Sequence, residues 1–303
     1  IIIVGGIFLV TRMHSAAPAP YEKADTPTLP PAVEEVSPTT SPSATPPDTD
    51  IDTENKPETV IGTSVGGRNI LAYHFGTGDK ELLLIGGIHG GYSWNTALLA
   101  YEMIDWLKEN PMSIPESVRV TVIPNLNPDG LFALTGKEGR FTTADVQGKT
   151  ETQKIAARFN ANQVDLNRNF DCDWKSSGTW QTRTVSGGTA AFSEPESVAI
   201  RRYIETHEPS AALVWYSAAG GVYASFCDND PLPGTLSLMN TFATAASYPA
   251  HKEYDYYEIT GDMVNWLAKR NVPAVSVLLT SHTETEFAKN QAGVTAVLKS
   301  LAQ

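Results

Sequence analysis

The residues best suited to chemistry in this chain fall in two places. The first is His89, which follows the apolar run Leu82-Leu83-Leu84-Ile85 in the stretch Gly86-Gly87-Ile88-His89-Gly90-Gly91. An imidazole there could bind a metal or carry a proton near neutral pH. It would stand at the carboxyl edge of a strand, where open α/β sheets bind ligands; the competing reading is a histidine in an ordinary strand-to-helix turn. The second place is Val164-Asp165-Leu166-Asn167-Arg168-Asn169-Phe170. Asn, Arg and Asn between apolar anchors suit neither helix nor strand, so this run is either placed for its side chains or is a structural turn. A third stretch, Gly62-Thr63-Ser64-Val65-Gly66, has the spacing of a nucleophile elbow. That elbow needs a helix after it, whereas Gly67-Arg68-Asn69-Ile70 begins another strand, so the match is read as chance.

The elements that must position these residues follow from periodicity. Leu82 to Ile85 has strand length, and Trp94 to Lys108 places Leu98, Tyr101, Ile104 and Leu107 on one helical face, with Ser93 as a natural N-cap. Val60 to Phe75 reads as an edge hairpin turning at Gly66-Gly67. Val118 to Ile123, Ala211 to Tyr216 and Ala274 to Leu279 read as buried strands. Phe192-Ser193-Glu194-Pro195-Glu196 opens a helix to about His207, with a Ser-x-x-Glu capping box and proline in the first turn. Further helices are expected near Thr235 to Ala246, Gly261 to Arg270 and Asn290 to Leu301. Pro124 to Gly130 is dense in turn formers, and the stretch beyond it to about Asn162 reads as polar loop. Strands alternating with helices give an α/β fold, a mixed and mostly parallel sheet flanked by helices on both faces.

Of the 303 residues, 41% are hydrophobic, enough for one sizeable core. The net charge of −12, with no cluster of Lys and Arg, argues against a nucleic-acid surface. The folded domain is expected over residues 58–303. Residues 1–14 begin with an almost wholly apolar run, Ile1 to Val10, and read as the end of a membrane anchor or signal segment. Residues 15–57 hold ten of the 20 prolines, among Ser, Thr, Ala and acids, and read as a disordered stalk. This layout predicts an extracytoplasmic domain, membrane-anchored or secreted. In that setting Cys172 and Cys227 are expected to form a disulfide, whereas a reducing compartment would keep them as thiols.

Several motifs in order, Gly87-Ile88-His89, Asn125-Leu126-Asn127-Pro128-Asp129-Gly130, Asp165 to Phe170, Phe192 to Glu196, and Tyr257 ahead of Gly261, resemble those of the carboxypeptidase A-like zinc metallocarboxypeptidases. The resemblance covers about Glu58 to Gln303 and implies a sheet of the eight-stranded type. It also implies a zinc held by a His and a Glu from one turn and by a His from a later strand end, with an open position for water. A glutamate at a further strand end would act as general base, and an Asn-Arg pair would grip the terminal carboxylate of a peptide.

Carried over residue by residue, the match is partial. His89 falls on the first ligand; the family's glutamate falls at Tyr92 or Ser93, its second histidine at Tyr216 and its base at Leu278. Asn167, Arg168 and Tyr257 match the carboxylate-binding and substrate-capping positions, and Arg158 would partner a developing oxyanion. The resemblance therefore implies a catalytically impaired domain that holds no cofactor and still recognises peptides with a free C-terminal carboxylate; cell-wall peptides would suit the expected location. One alternative is an active zinc carboxypeptidase with atypical ligands, recruited from His282, Glu284, Glu286 or Asp129. Another is a structural or adhesive module whose old pocket is filled by Tyr216 and Leu278.

Overall fold

The computed structural model describes residues 56–228 and 230–303. The expected anchor and the stalk up to residue 55 lie outside the described residues. Strand β1 (Glu58–Thr63) and β2 (Asn69–Gly76) form the expected antiparallel hairpin. Gly67 turns it at a φ of +77°, which glycine adopts without steric cost. Strand β3 (Lys80–Ile85) leads into α1 (Trp94–Glu109), and β4 (Val118–Ile123) into α2 (Pro128–Thr135). Helix α3 (Glu151–Ala156) and a small hairpin of β5 (Ser177–Trp180) and β6 (Arg183–Ser186) precede α4 (Pro195–His207) and β7 (Ala211–Ser217). The chain closes with β8 (Gly221–Ala224), α5 (Pro233–Ala246), β9 (Ala250–His251), α6 (Met263–Lys269), β10 (Ala274–Leu279) and α7 (Phe287–Leu301).

Eight of these strands make one sheet in the order β1-β2-β4-β3-β7-β10-β8-β9. Its centre, β4-β3-β7-β10, is parallel, and antiparallel pairs flank it on both sides, so the mixed sheet read from the sequence is present. The central strands are apolar on both faces because helices cover both. Leu82, Leu84, Leu213, Trp215, Val275 and Val277 pack with α1, α5 and α7, whereas Leu83, Ile85, Val214, Tyr216 and Leu278 pack with α4 and α6. This division follows the two-residue period of a strand, and burying each large aliphatic side chain contributes about 1.5–3 kcal/mol. Tyr216 and Leu278 face each other in register across β7 and β10, both near the carboxyl edge.

Several local readings are corrected. Ser93 occupies the N-cap position of α1 but makes no side-chain cap bond. Thr96 Oγ1 does the joining instead, accepting from Gly87 N at 3.1 Å and donating to Ser93 O at 2.8 Å. Ser193 does not cap α4: Glu194 holds that position, Pro195 begins the helix, and Ser193 Oγ donates to Glu194 Oε1 at 2.8 Å. The turn-rich Pro124 to Gly130 runs into α2, where Asn127 Oδ1 accepts from Gly130 N at 2.9 Å and Pro128 takes the first turn. Asn-Pro-Asp-Gly suits a helix start as well as a turn, which is why composition could not separate them. The stretch read as polar loop contains α3, opened by a Thr150–Gln153 capping box. Ser64 of the elbow-like motif sits in the β1-β2 turn and donates to Asp129 Oδ1 at 2.7 Å, a structural tie.

Cys172 and Cys227 are disulfide-bonded, with Cα atoms 6.0 Å apart and a sequence separation of 55. Changing both to Ser should lower unfolding stability by about 2–4 kcal/mol in urea titrations, because the crosslink restricts the unfolded chain. Glu196 is fully buried in the first turn of α4. Burial pushes it up from 4.5 to about 7, against bonds from its own backbone, Val65 N and Asn160. The folded state thus holds this proton more tightly than the unfolded one, so the group's contribution to stability declines as pH rises from 4.5 through about 7. Glu196→Gln should exceed wild type by about 1–3 kcal/mol at alkaline pH, with the gap closing in acid; paired urea titrations across pH check this.

Candidate functional site

The turn after β3 sets His89 in place. Gly87 has a φ of +67°, and a Cβ there would come within 2.6 Å of Asn125 Oδ1, so no larger residue fits this path without displacing its neighbour. His89 is buried, and its Nε2 lies 2.9 Å from Nη2 of Arg158. A guanidinium can only donate, so Nε2 accepts and the proton of the neutral ring sits on Nδ1. Burial, followed by the charge of Arg158, pushes the imidazole well below its ordinary value and keeps it neutral. Nδ1 is itself buried and has no partner.

Arg158 is held on its other side by Asp165 Oδ2, at 2.9 Å from Nε and 2.8 Å from Nη2. Its guanidinium lies 4.2 Å from the ring centre of Trp180, on β5. Burial alone would raise Asp165, but Arg158 and Arg168 outweigh it and hold the carboxyl below its usual range. Asn167 is also engaged: its Oδ1 accepts from Tyr216 Oη and Met263 N, both at 3.2 Å, and its Nδ2 donates to Asp262 at 2.8 Å. Burial drives the Tyr216 phenol well above its ordinary value, so it remains a protonated donor.

Arg168 is 1% exposed. It donates from Nη1 to Asn167 O and from Nη2 to Thr179 O, both at 2.7 Å, while its Nε has no partner. No carboxylate forms an ion pair with it among the described residues. Gly261, at a φ of +60°, permits the tight backbone approach to Arg168 O that holds this turn. The Tyr257 ring centre is 6.0 Å from the guanidinium.

A pocket of about 480 Å³ at the carboxyl edge collects His89, Tyr92, Arg158, Asn167, Arg168, Tyr216, Tyr257 and Leu278. Ser93 does not line it; its Oγ is buried and unpaired. Of the possible recruits, Asp129 is held by Ser64, Gly66 and Arg68, and Glu286 by Thr280 N and Lys289. Glu284 is exposed, and His282 alone joins the pocket. Sequence reasoning missed Trp180, Ser217 and Asn95. The β-prone Thr179-Trp180 and Thr184-Val185 pairs could have signalled the hairpin that carries the first of these.

These residues do not fit a catalytic zinc, which needs three ligands with available lone pairs. His89 carries its proton on the nitrogen left without a partner, Ser93 lies outside the pocket, Tyr92 and Tyr216 offer protonated phenols, and Leu278 offers no ligand atom. Among the described residues no group of three or more His, Cys, Asp or Glu side chains is placed to hold an ion.

An eight-stranded mixed sheet with an Asn-Arg turn and a histidine at its carboxyl edge defines a carboxypeptidase-like α/β protein. Residues 54–294 match the zinc carboxypeptidase family, and the chain belongs to it. It is 26% identical over 208 residues to murein peptide amidase A of Vibrio campbellii, covering 65% of this chain and 68% of that one. It is 27% identical over 124 residues to the carboxypeptidase N catalytic chain of Homo sapiens, covering 36% of this chain and only 25% of that relative's length. Among solved structures, murein-tripeptide amidase from Escherichia coli O157 superposes with a TM-score of 0.55 at 18% identity, over 82% of this chain and 92% of that one. Carboxypeptidase A from Helicoverpa armigera superposes with a TM-score of 0.62 at 19% identity, over 81% and 68%. These likenesses establish the shared fold.

Metal analysis of the purified chain should find no stoichiometric zinc. Tyr92→Glu, Tyr216→His and Leu278→Glu together should bring zinc to near stoichiometry, and each alone should not, because ligands and base act as a unit. Stoichiometric zinc in the unaltered chain would refute this description of the site.

Proposed function

We propose that this domain is a catalytically silent member of the zinc carboxypeptidase family that binds peptides through a free C-terminal carboxylate. One observation carries the reading: the Arg168 guanidinium is buried at the wall of an open pocket with no carboxylate paired to it. A buried guanidinium without a direct ion-pair partner is costly, and a ligand carboxylate would supply that partner through charge-assisted bonds. Tyr257 lies beside it, and Asn167 retains one amide proton beyond its bond to Asp262. Silence is supported by the lack of a proton acceptor at Leu278 and of a ligand set around His89.

The third reading, a module whose pocket is filled, is not favoured, since Tyr216 and Leu278 line about 480 Å³ of space. Two relatives carry names that refer to murein, which makes cell-wall peptides the class to test first. An extracytoplasmic address, expected from the N-terminal segments, suits such a ligand.

Calorimetry should show that acetyl-trialanine acid binds and that its C-terminal amide does not. Arg168→Ala should weaken the acid's binding by about 10- to 100-fold, the range for a bond to a charged group. Equal binding of acid and amide would overturn carboxylate recognition. Chelator-sensitive release of alanine would overturn silence.

A further inference from the structure

His282 lies just beyond β10, with Nδ1 2.9 Å from Ser217 Oγ at the end of β7; Ser217 Oγ is 3.1 Å from Asn95 Oδ1, in α1. Three such groups in a pocket resemble a hydrolytic relay, but the bond directions exclude one. Asn95 is fully buried, and its Nδ2 donates to the carbonyls of Ser281 at 2.8 Å and Glu284 at 2.9 Å. Both amide protons are thereby engaged, which fixes the orientation of the amide. Oδ1 can only accept, so the Ser217 hydroxyl proton points to Asn95. The remaining bond to Ser217 Oγ must come from an N–H on His282 Nδ1. Ser217 therefore has no base to receive its proton, and it is not an activated nucleophile.

The same wiring defines what His282 presents to the pocket. With the proton of the neutral ring on Nδ1, Nε2 carries a lone pair. Nε2 has no partner among the described residues and, unlike Nδ1 of His89, is not sealed from solvent. The ring packs edge-on against Tyr92, centroids 4.6 Å apart, and both side chains line the pocket. Burial lowers the affinity of His282 for a second proton, with Arg158 and Lys154 acting in the same direction and Glu151 against it. Elsewhere in the site, Arg158 and Arg168 are donors, and Asn167 Oδ1 is already occupied twice. Asp262 also lines the pocket but already accepts from Asn167, and the remaining carboxylates, Asp173, Asp228, Asp255 and Glu258, are exposed to water.

We propose that His282 is a specificity-determining residue: its Nε2, held as an acceptor through Ser217 and Asn95, takes a backbone amide N–H of the peptide whose carboxylate Arg168 binds. This rests on the peptide-binding reading above. Peptide recognition then uses two complementary groups, a cation for the chain end and a neutral acceptor for an amide.

Nitrogen NMR of the full chain with labelled histidine tests the wiring directly. The His282 Nδ1 resonance should fall in the protonated range and Nε2 in the unprotonated range, and Nε2 should shift when acetyl-trialanine acid is added. Ser217→Ala should release the tautomer, moving Nε2 toward the protonated range. His282→Phe keeps the ring packed on Tyr92 and removes the acceptor, so it should weaken peptide binding about 5- to 10-fold, the worth of one hydrogen bond. Methylating the peptide amides in turn should identify one whose methylation weakens wild type and leaves His282→Phe unchanged. A protonated Nε2 in wild type, or undiminished binding by His282→Phe, overturns the proposal alone. Failure of wild type to bind the peptide overturns the carboxylate reading and this one with it.

Discussion

Two guanidinium groups lie almost entirely out of water at the carboxyl edge of the central parallel strands, and the site is arranged around how their charge is met. Arg158 is answered in full: Asp165 takes two of its N–H groups, His89 takes a third contact and the Trp180 ring covers its face. Arg168 is bonded only to two backbone carbonyls, and the buried carboxylates of Asp165 and Asp262 act on it through space without forming an ion pair. In a low-dielectric setting this difference matters more than it would at the surface. One arginine belongs to the protein's internal bonding, and the other faces the pocket without a direct ion-pair partner.

The bonding of Arg158 also determines the state of His89. By donating to Nε2 it places the ring proton on Nδ1, the nitrogen with no partner. The substitutions around it are consistent with this state. Tyr216 is a neutral donor to Asn167 and packs 5.4 Å from the His89 ring, and Leu278 belongs to the apolar cluster between the sheet and α4 and α6. His89, Tyr216 and Asn167 thus form a hydrogen-bonded and aromatic assembly at the wall of the pocket.

Much of this was legible in the chain. The strands from β3 to β10 that form the parallel centre were readable as short apolar runs bounded by turn formers, and the unbroken run from Leu82 to Ile85 already implied two covered faces. The association of His89 with Asn167, Arg168 and Tyr257 came from ordered motifs, and one pocket does gather them. Less legible were the short elements, such as β8, β9 and the β5-β6 hairpin, whose two to four residues carry too little periodicity to register. Helix starts were confused for a related reason. Ser93 and Ser193 have the composition of caps, but which side chain reaches a free N–H depends on the backbone path into the helix.

What the sequence determined by itself is the class of fold and the identity of the groups at the sheet edge, because strand and helix periods and residue types are local properties of the chain. What only the tertiary structure decided is the state of those groups: which nitrogen of His89 holds the proton, that Arg168 lacks a carboxylate, and that Ser217 donates toward Asn95 and not toward His282. Each of these depends on partners from 65 to 122 positions apart in the chain or on the burial they create together. Hydrogen-bond direction and charge compensation are settled by the whole surroundings of an atom, and no single stretch of sequence contains them.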